Sequence, residues 1–295
     1  MKNFTFKLLL LGMGIAFTSS AKAQFYNYNT QAATDTYKND QVRVFKVKPN
    51  VWDVETKEHD TMYIIEGTEK SALIDTGTGE DCKNLPEIVR KVTTKPLEII
   101  ITHAHGDHIG GALQFPAVWL NPKDTILIQK YIHKVNTKLK PMKEGQRFDL
   151  GGGEVLRILD APAHTPGEVV VIDEKNKVIY SGDAIGSGQV WLQCVPTAAM
   201  SVYYNTLCKI ENVMKKEKFS ELYCGHQGYL SAPLNMKFIQ RMKHIALRLM
   251  NGDQKDSKLF INQNYKKSNI YRTMTEGNAC IVYDARTIKN NKYTE

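Results

Sequence analysis

The chain has 295 residues, 42% hydrophobic and 24% charged, proportions of an ordinary globular protein that set aside disordered and fibrous classes. Its formal charge of +8 is a modest excess without a dense Lys/Arg run, so nucleic acid is not an expected partner. Lys2 and Lys7 precede the apolar stretch Leu8 to Phe17, and a small-residue segment ends in Ala21-Lys22-Ala23. This order of basic, apolar and A-x-A regions predicts a secretory signal peptide over 1–23 and a mature chain over 24–295 that begins at Gln24. Three lysines and no acid leave with it, so the mature charge is about +5. No cysteine lies near the cleavage point, and no later segment approaches the roughly 20 apolar residues of a bilayer span. The expectation is a periplasmic or secreted protein with no stable membrane anchor after cleavage.

Gln24 to Asp40 is polar and reads as a loose leader. Residues 41–47, 62–66 and 72–75 then read as strands, and 85–92 as a helix with Pro86 in its first turn. Leu97 to Thr102 is a β-branched strand leading directly into a histidine cluster. Residues 124–135 read as helix, and 154–160, 169–173 and 178–181 as strands. Met200, Tyr203, Leu207, Ile210 and Met214 form a helical stripe. The run Lys215 to Lys218 is its solvated end. A strand at 221–224, a helix at 234–249 and a strand at 279–283 complete the chain. Mixed strands and helices without a linker or repeat give an α/β (α+β) class in one domain. Cys82, Cys194, Cys208, Cys224 and Cys280 show neither a C-x-x-C pair nor a disulfide ladder.

The chemistry concentrates in His103-Ala104-His105-Gly106-Asp107-His108. His103 and His105 alternate by two and point the same way in extended chain. Gly106 then lets the chain turn and aim Asp107 and His108 at a neighbouring point, so one loop can serve two metals. His164, Asp183 and His226 each adjoin a predicted strand and are flanked by Gly or Pro. Ligands carried on strand ends from distant sequence suit a preorganised site. His59, His133 and His244 lack such a setting and read as structural or solvent-facing.

These motifs, together with Leu73-Ile74-Asp75-Thr76-Gly77, resemble the metallo-β-lactamase-fold superfamily over nearly the whole mature chain. The resemblance implies an αββα four-layer sandwich with metals along one edge. It places His103, His105 and His164 on a first metal, Asp107, His108 and His226 on a second, and Asp183 as a bridge. Asp75 would order the histidine loop. Two Zn²⁺ suit nitrogen and oxygen ligands without thiolate. Metal-bound hydroxide, formed near neutral pH, would attack a small ester, thioester or lactone, with Asp107 moving the proton. Asp183 points to the branch of glyoxalase II-like thioesterases and lactonases, since established β-lactamases of the fold generally lack a bridging aspartate. Gly186 stands where those lactonases carry a tyrosine, and no basic glutathione-binding set is evident. The appended domain of the family's nucleases is also missing. Two alternatives stand beside this: hydrolysis of β-lactams or other amides, and a mononuclear iron persulfide dioxygenase, whose ligands are the same seven residues. Gly186 to Gln193 and Trp52 to His59 are candidate walls of the substrate pocket.

Overall fold

The computed structural model describes residues 34–132, 137–261 and 270–288. The predicted signal segment and His133 lie outside them. In chain order the strands of the first half are β1 (Asp35–Lys38), β2 (Val42–Lys48), β3 (Val51–Thr56), β4 (Thr61–Glu66), β5 (Ser71–Ile74), β6 (Leu97–Ile100), β7 (Ala117–Leu120) and β8 (Lys138–Pro141). Among them lie helices α1 (Leu85–Arg90), α2 (Gly106–Ile109) and α3 (Thr125–Ile132). The second half holds β9 (Arg147–Gly151), β10 (Glu154–Asp160), β11 (Val169–Asp173), β12 (Val178–Tyr180), β13 (Gln189–Leu192), α4 (Met200–Glu217), β14 (Glu221–Tyr223), α5 (Met236–Met250), β15 (Lys258–Leu259), β16 (Tyr271–Glu276) and β17 (Ala279–Asp284).

Strands β1 to β8 form one sheet in sequence order, antiparallel up to β5 and parallel beyond it. The second sheet runs β14-β12-β11-β10-β9, with β12 and β14 parallel. Period-two side-chain alternation explains how they stack. In β4, Tyr63 and Ile65 face the second sheet, where they join Leu156, Ile158, Val169 and Val171. Met62 and Ile64 face the other way, against Leu85, Ile88 and Val89 of α1. In β11, Val170 and Ile172 pack under the predicted α4 stripe of Met200, Tyr203, Leu207, Ile210 and Met214. Strands covered on both faces read as continuous apolar runs, and each fully buried aliphatic side chain contributes roughly 1.5–3 kcal/mol. The αββα sandwich follows. Helix α4 ends at Lys218 in the left-handed region (φ 61°), with exposed Lys215 and Lys216 in its last turn, as the solvated-end reading predicts.

Three features depart from the sequence reading. The leader contains a strand, β1, paired with β2. Residues 52–56, outside the predicted strands, are part of β3, where Asp53 and Glu55 are buried despite their charge. Their polarity disguises a two-sided strand. Finally, β13 and β17 pair in parallel and join β16 and β15 in a third, small sheet. Its strands are brought together across some ninety residues (189–284), a pairing that no local pattern announces. Among the described residues, no helix is long and apolar enough to cross a membrane, and Cys82, Cys208, Cys224 and Cys280 are free thiols.

Candidate metal centre

Strands β5, β6, β10, β12 and β14 all end at one edge of the sandwich. The residues following their C-termini are Asp75, the His103–His108 run, His164, Asp183 and His226. Backbone hydrogen bonds tie these segments together: Val169 N donates to Thr102 O (3.0 Å), Ser181 N to Tyr223 O (2.8 Å) and Gly225 N to Gly182 O (2.8 Å).

The seven predicted residues come together. Ligand-capable atoms of His103, His105 and His164 lie within 4.8 Å of one another, and so do those of Asp107, His108 and His226. Asp183 reaches both groups. Its carboxylate lies 3.9 Å from His164 Nε2, 3.6 Å from His108 Nε2 and 3.4 Å from His226 Nε2.

Hydrogen bonds on the outer nitrogens decide which ring atoms face inward. His164 Nδ1 donates to the Trp191 carbonyl at 2.6 Å. His108 Nδ1 donates to Asp75 Oδ2 at 2.8 Å. His103 Nδ1 meets Thr102 Oγ1 at 3.2 Å, whose own proton goes to Asp75 Oδ2. Asp75, in the left-handed region (φ 62°), also accepts from Thr102 N at 2.7 Å. It orders the histidine loop as the resemblance implied.

Four buried atoms are left inside, His103 Nε2, His105 Nδ1, His108 Nε2 and Asp183 Oδ1, with no hydrogen-bond partner among the described residues. Unmet buried polar atoms cost roughly 1–3 kcal/mol each. Converging lone pairs of nitrogen and oxygen are what a divalent cation takes up, and their chemistry fits zinc. Burial, followed by His108 and His105, drives His103 well below the usual imidazole range, and burial with His164 takes His105 down to about 3. Both rings are therefore neutral, as ligands must be. At His226 burial opposes charge, but Asp183, Asp60 and Asp107 outweigh it and raise the ring to about 9. Burial also opposes ionisation of Asp183, yet His226 and His108 hold it well below the ordinary carboxylate range.

Two supporting carboxyls escaped the sequence reading. Glu168, fully buried, accepts from His164 N at 3.0 Å and Asp183 N at 2.9 Å, joining two ligand loops. Asp124, read only as a helix start, accepts from Ala104 N (3.0 Å), Thr165 Oγ1 (2.7 Å) and Gly167 N (2.6 Å). A charged residue directly before the all-apolar Val169-Val170-Val171 was the available signal for Glu168. Gly225 is equally demanding. A Cβ there would lie 2.4 Å from His108 Cε1 and 2.8 Å from Asp183 Oδ1.

A pocket of about 400 Å³ opens on the centre, lined by His105, Asp107, His164, Asp183 and His226, with Ser187, Gln189 and Trp191. The segment 186–193 thus contributes a wall, and Trp191 is backed by Phe260 of the third sheet region at 5.4 Å. None of Trp52 to His59 lines this pocket. His59 is buried against Glu55, whereas His244 is exposed and pairs with Glu276.

The family description "Metallo-beta-lactamase superfamily" matches residues 58–194. The human acyl-coenzyme A thioesterase MBLAC2 is 22% identical over 56% of this chain and 72% of that protein. A hydroxyacylglutathione hydrolase of Bdellovibrio bacteriovorus is 24% identical over 67% and 73%, respectively. The uncharacterized protein YobT of Bacillus subtilis is 30% identical over 58% and 84%. The match to the lactamase-like protein ptaB of Pestalotiopsis fici, 28% identical, spans 46% of this chain and only 42% of that protein's length. A metallo-β-lactamase structure from Erythrobacter litoralis superposes with a TM-score of 0.55 at 18% identity, covering 72% of this chain and 99% of that one. It shares the fold.

Proposed function

The chain belongs to the metallo-beta-lactamase superfamily, and from that premise we propose that it is an exported two-zinc hydrolase of small esters, thioesters or lactones. The observation that carries the reading is Asp183, whose carboxylate lies within 4 Å of histidines from both ligand groups. His103, His105 and His164 would hold one ion, Asp107, His108 and His226 the other, and Asp183 would contact both. When bound, the two ions polarise the scissile carbonyl and acidify water. The chain's own residues supply the rest. Asp107 is kept ionised because His108 and His226 overcome the effect of burial, and it lines the pocket. There it takes a proton from the attacking water and returns it to the leaving oxygen or sulfur. Trp191 offers an apolar face to the acyl part, and Ser187 and Gln189 offer polar contacts beside it. Glu168 and Asp75 hold the loops so that none of these groups must reorganise during reaction.

The names of MBLAC2 and hydroxyacylglutathione hydrolase favour thioester or ester cleavage over amide cleavage. The test is a substrate panel on the mature protein: a p-nitrophenyl ester, an acyl thioester, a lactone and a chromogenic cephalosporin. Turnover of one of the first three, well above the cephalosporin, is expected. Turnover of the cephalosporin alone would replace this reading with amide hydrolysis. Export is tested separately by the intact mass of the secreted chain, which should begin at Gln24; a retained Met1 segment would contradict it.

A further inference from the structure

His226 is the one ligand whose outer nitrogen is met from the first half of the chain by a turn rather than a strand end. Its Nδ1 lies 3.3 Å from the His59 carbonyl and 3.5 Å from Asp60 Oδ1. Both belong to the tight β3–β4 turn. Asp60 is buried, and its Oδ2 has no hydrogen-bond partner among the described residues. Asp107, His226 and His108, all three members of the second ligand group, act on it electrostatically, as does Asp81.

The turn is built to stay in place. His59 N donates to Thr56 O (3.0 Å), Thr56 N to Asp60 O (3.0 Å), and Asp60 N to Thr56 Oγ1 (3.0 Å). His59 itself takes φ 66°, a left-handed conformation that a non-glycine residue adopts only when its surroundings hold it there. They do. Its ring contacts Tyr229 at 4.4 Å between centroids, and its Nδ1 lies 3.1 Å from Glu55 Oε1. Thr61 N donates to Gly225 O at 2.7 Å, directly before His226. On the other side, a Cβ at Gly228 would fall 2.1 Å from Glu55 Oε1 and 2.7 Å from His59 Nδ1. The turn and the segment 225–229 are thus pressed together with His226 between them.

We propose that Asp60 is a positioning residue for His226, and that through it the β3–β4 turn sets how tightly the group Asp107, His108 and His226 holds its metal. A carboxylate behind an imidazole fixes the ring's tautomer and orientation and raises the basicity of the inward nitrogen. Asp75 does this for His108 in the same group. Asp60 does it for His226 from 3.5 Å, beside the His59 carbonyl that accepts from the same Nδ1. The inference rests on the two-metal reading above.

The experiment is a Zn²⁺ titration of metal-stripped mature protein against a chromophoric chelator, which resolves the two equivalents without reference to activity. Wild type should take up two. Asp60→Ala should leave one equivalent within about twofold and weaken the other roughly 10–100-fold, the usual cost of losing such a support. Asp60→Asn keeps an acceptor and the shape but not the charge, and should fall between the two. Its thermal unfolding should match wild type, which guards against a variant that merely misfolds. Asp60→Ala and Asp60→Asn binding both equivalents like wild type, or losing both alike, would overturn the inference alone. Wild type taking up fewer than two equivalents would overturn the two-metal reading beneath it.

Discussion

Strands β10 and β11 carry a buried acidic cluster at each end, and the two clusters behave differently. At the far end Glu154 and Asp173 are closed by their own neighbours. Asp173 accepts from Asn176 N and Nδ2, both at 2.8 Å, and Glu154 Oε2 accepts from Asn50 and Asn176, which leaves a single oxygen, Glu154 Oε1, without a hydrogen bond among the described residues. Burial followed by Asp173 pushes Glu154 up to about 7, which favours a proton on that carboxyl. At the near end Asp107 and Asp183 face imidazoles, and their electrostatic balance keeps both ionised. His103 Nε2, His105 Nδ1, His108 Nε2 and Asp183 Oδ1 there are buried without a hydrogen-bond partner among the described residues. An acidic cluster closed by amides is structural; one that leaves convergent lone pairs unmet is built for a cation.

That contrast can be broken most severely at Asp183. Asp183→Ala or His108→Ala should remove metal and hydrolysis together, by more than the roughly 100-fold that loss of a mere support costs. Full activity with one metal per chain would erase the difference between the clusters. Gly225→Ala comes next. Its Cβ cannot coexist with His108 and Asp183 in place, so overpacking of about 1–3 kcal/mol should appear as a lower Tm together with weaker metal retention. Glu168→Leu should follow, because the N–H groups of His164 and Asp183 would lose their acceptor at roughly 1–3 kcal/mol each. Chelator competition should show metal lost at lower chelator concentration than in wild type.

The smallest effect belongs to the far end and has a definite sign. A carboxyl whose folded pKa is raised holds its proton longer in the folded state than in the unfolded one. It therefore makes stability fall as pH rises from about 4.5 to about 7. Glu154→Gln, neutral and still able to donate to Asp173, should flatten that fall and be about 1–3 kcal/mol more stable than wild type at pH 8. Near pH 4 the two should unfold alike. Denaturant melts at both pH values measure it, and an equal slope with pH in the two proteins would refute the upward shift of Glu154.

Most of the near-end cluster was legible in the sequence, because each of its ligands follows an apolar run and stands within three residues of a glycine or proline. The central strands β4, β6, β10 and β11 and the α4 stripe were legible for a related reason: burial on fixed faces imposes a period. What was not legible depends on partners remote in sequence. The burial of Asp53 and Glu55 could not be read because nothing local shows that β3 is covered on both faces. Glu168, Asp124 and Asp60 read as ordinary acids because their partners lie on other loops. The third sheet escaped because β15 has only two residues and β13 pairs with a strand near the end of the chain. His59 read as structural or solvent-facing and is structural: its ring is buried against Glu55, and its carbonyl helps to seat a ligand.

The central claim is that the near-end cluster is a two-metal site with Asp183 between the ions. Elemental analysis of the purified protein tests it most directly. The account predicts two zinc ions per chain, falling together in Asp183→Ala. One iron per chain in wild type, or no bound metal, would contradict it.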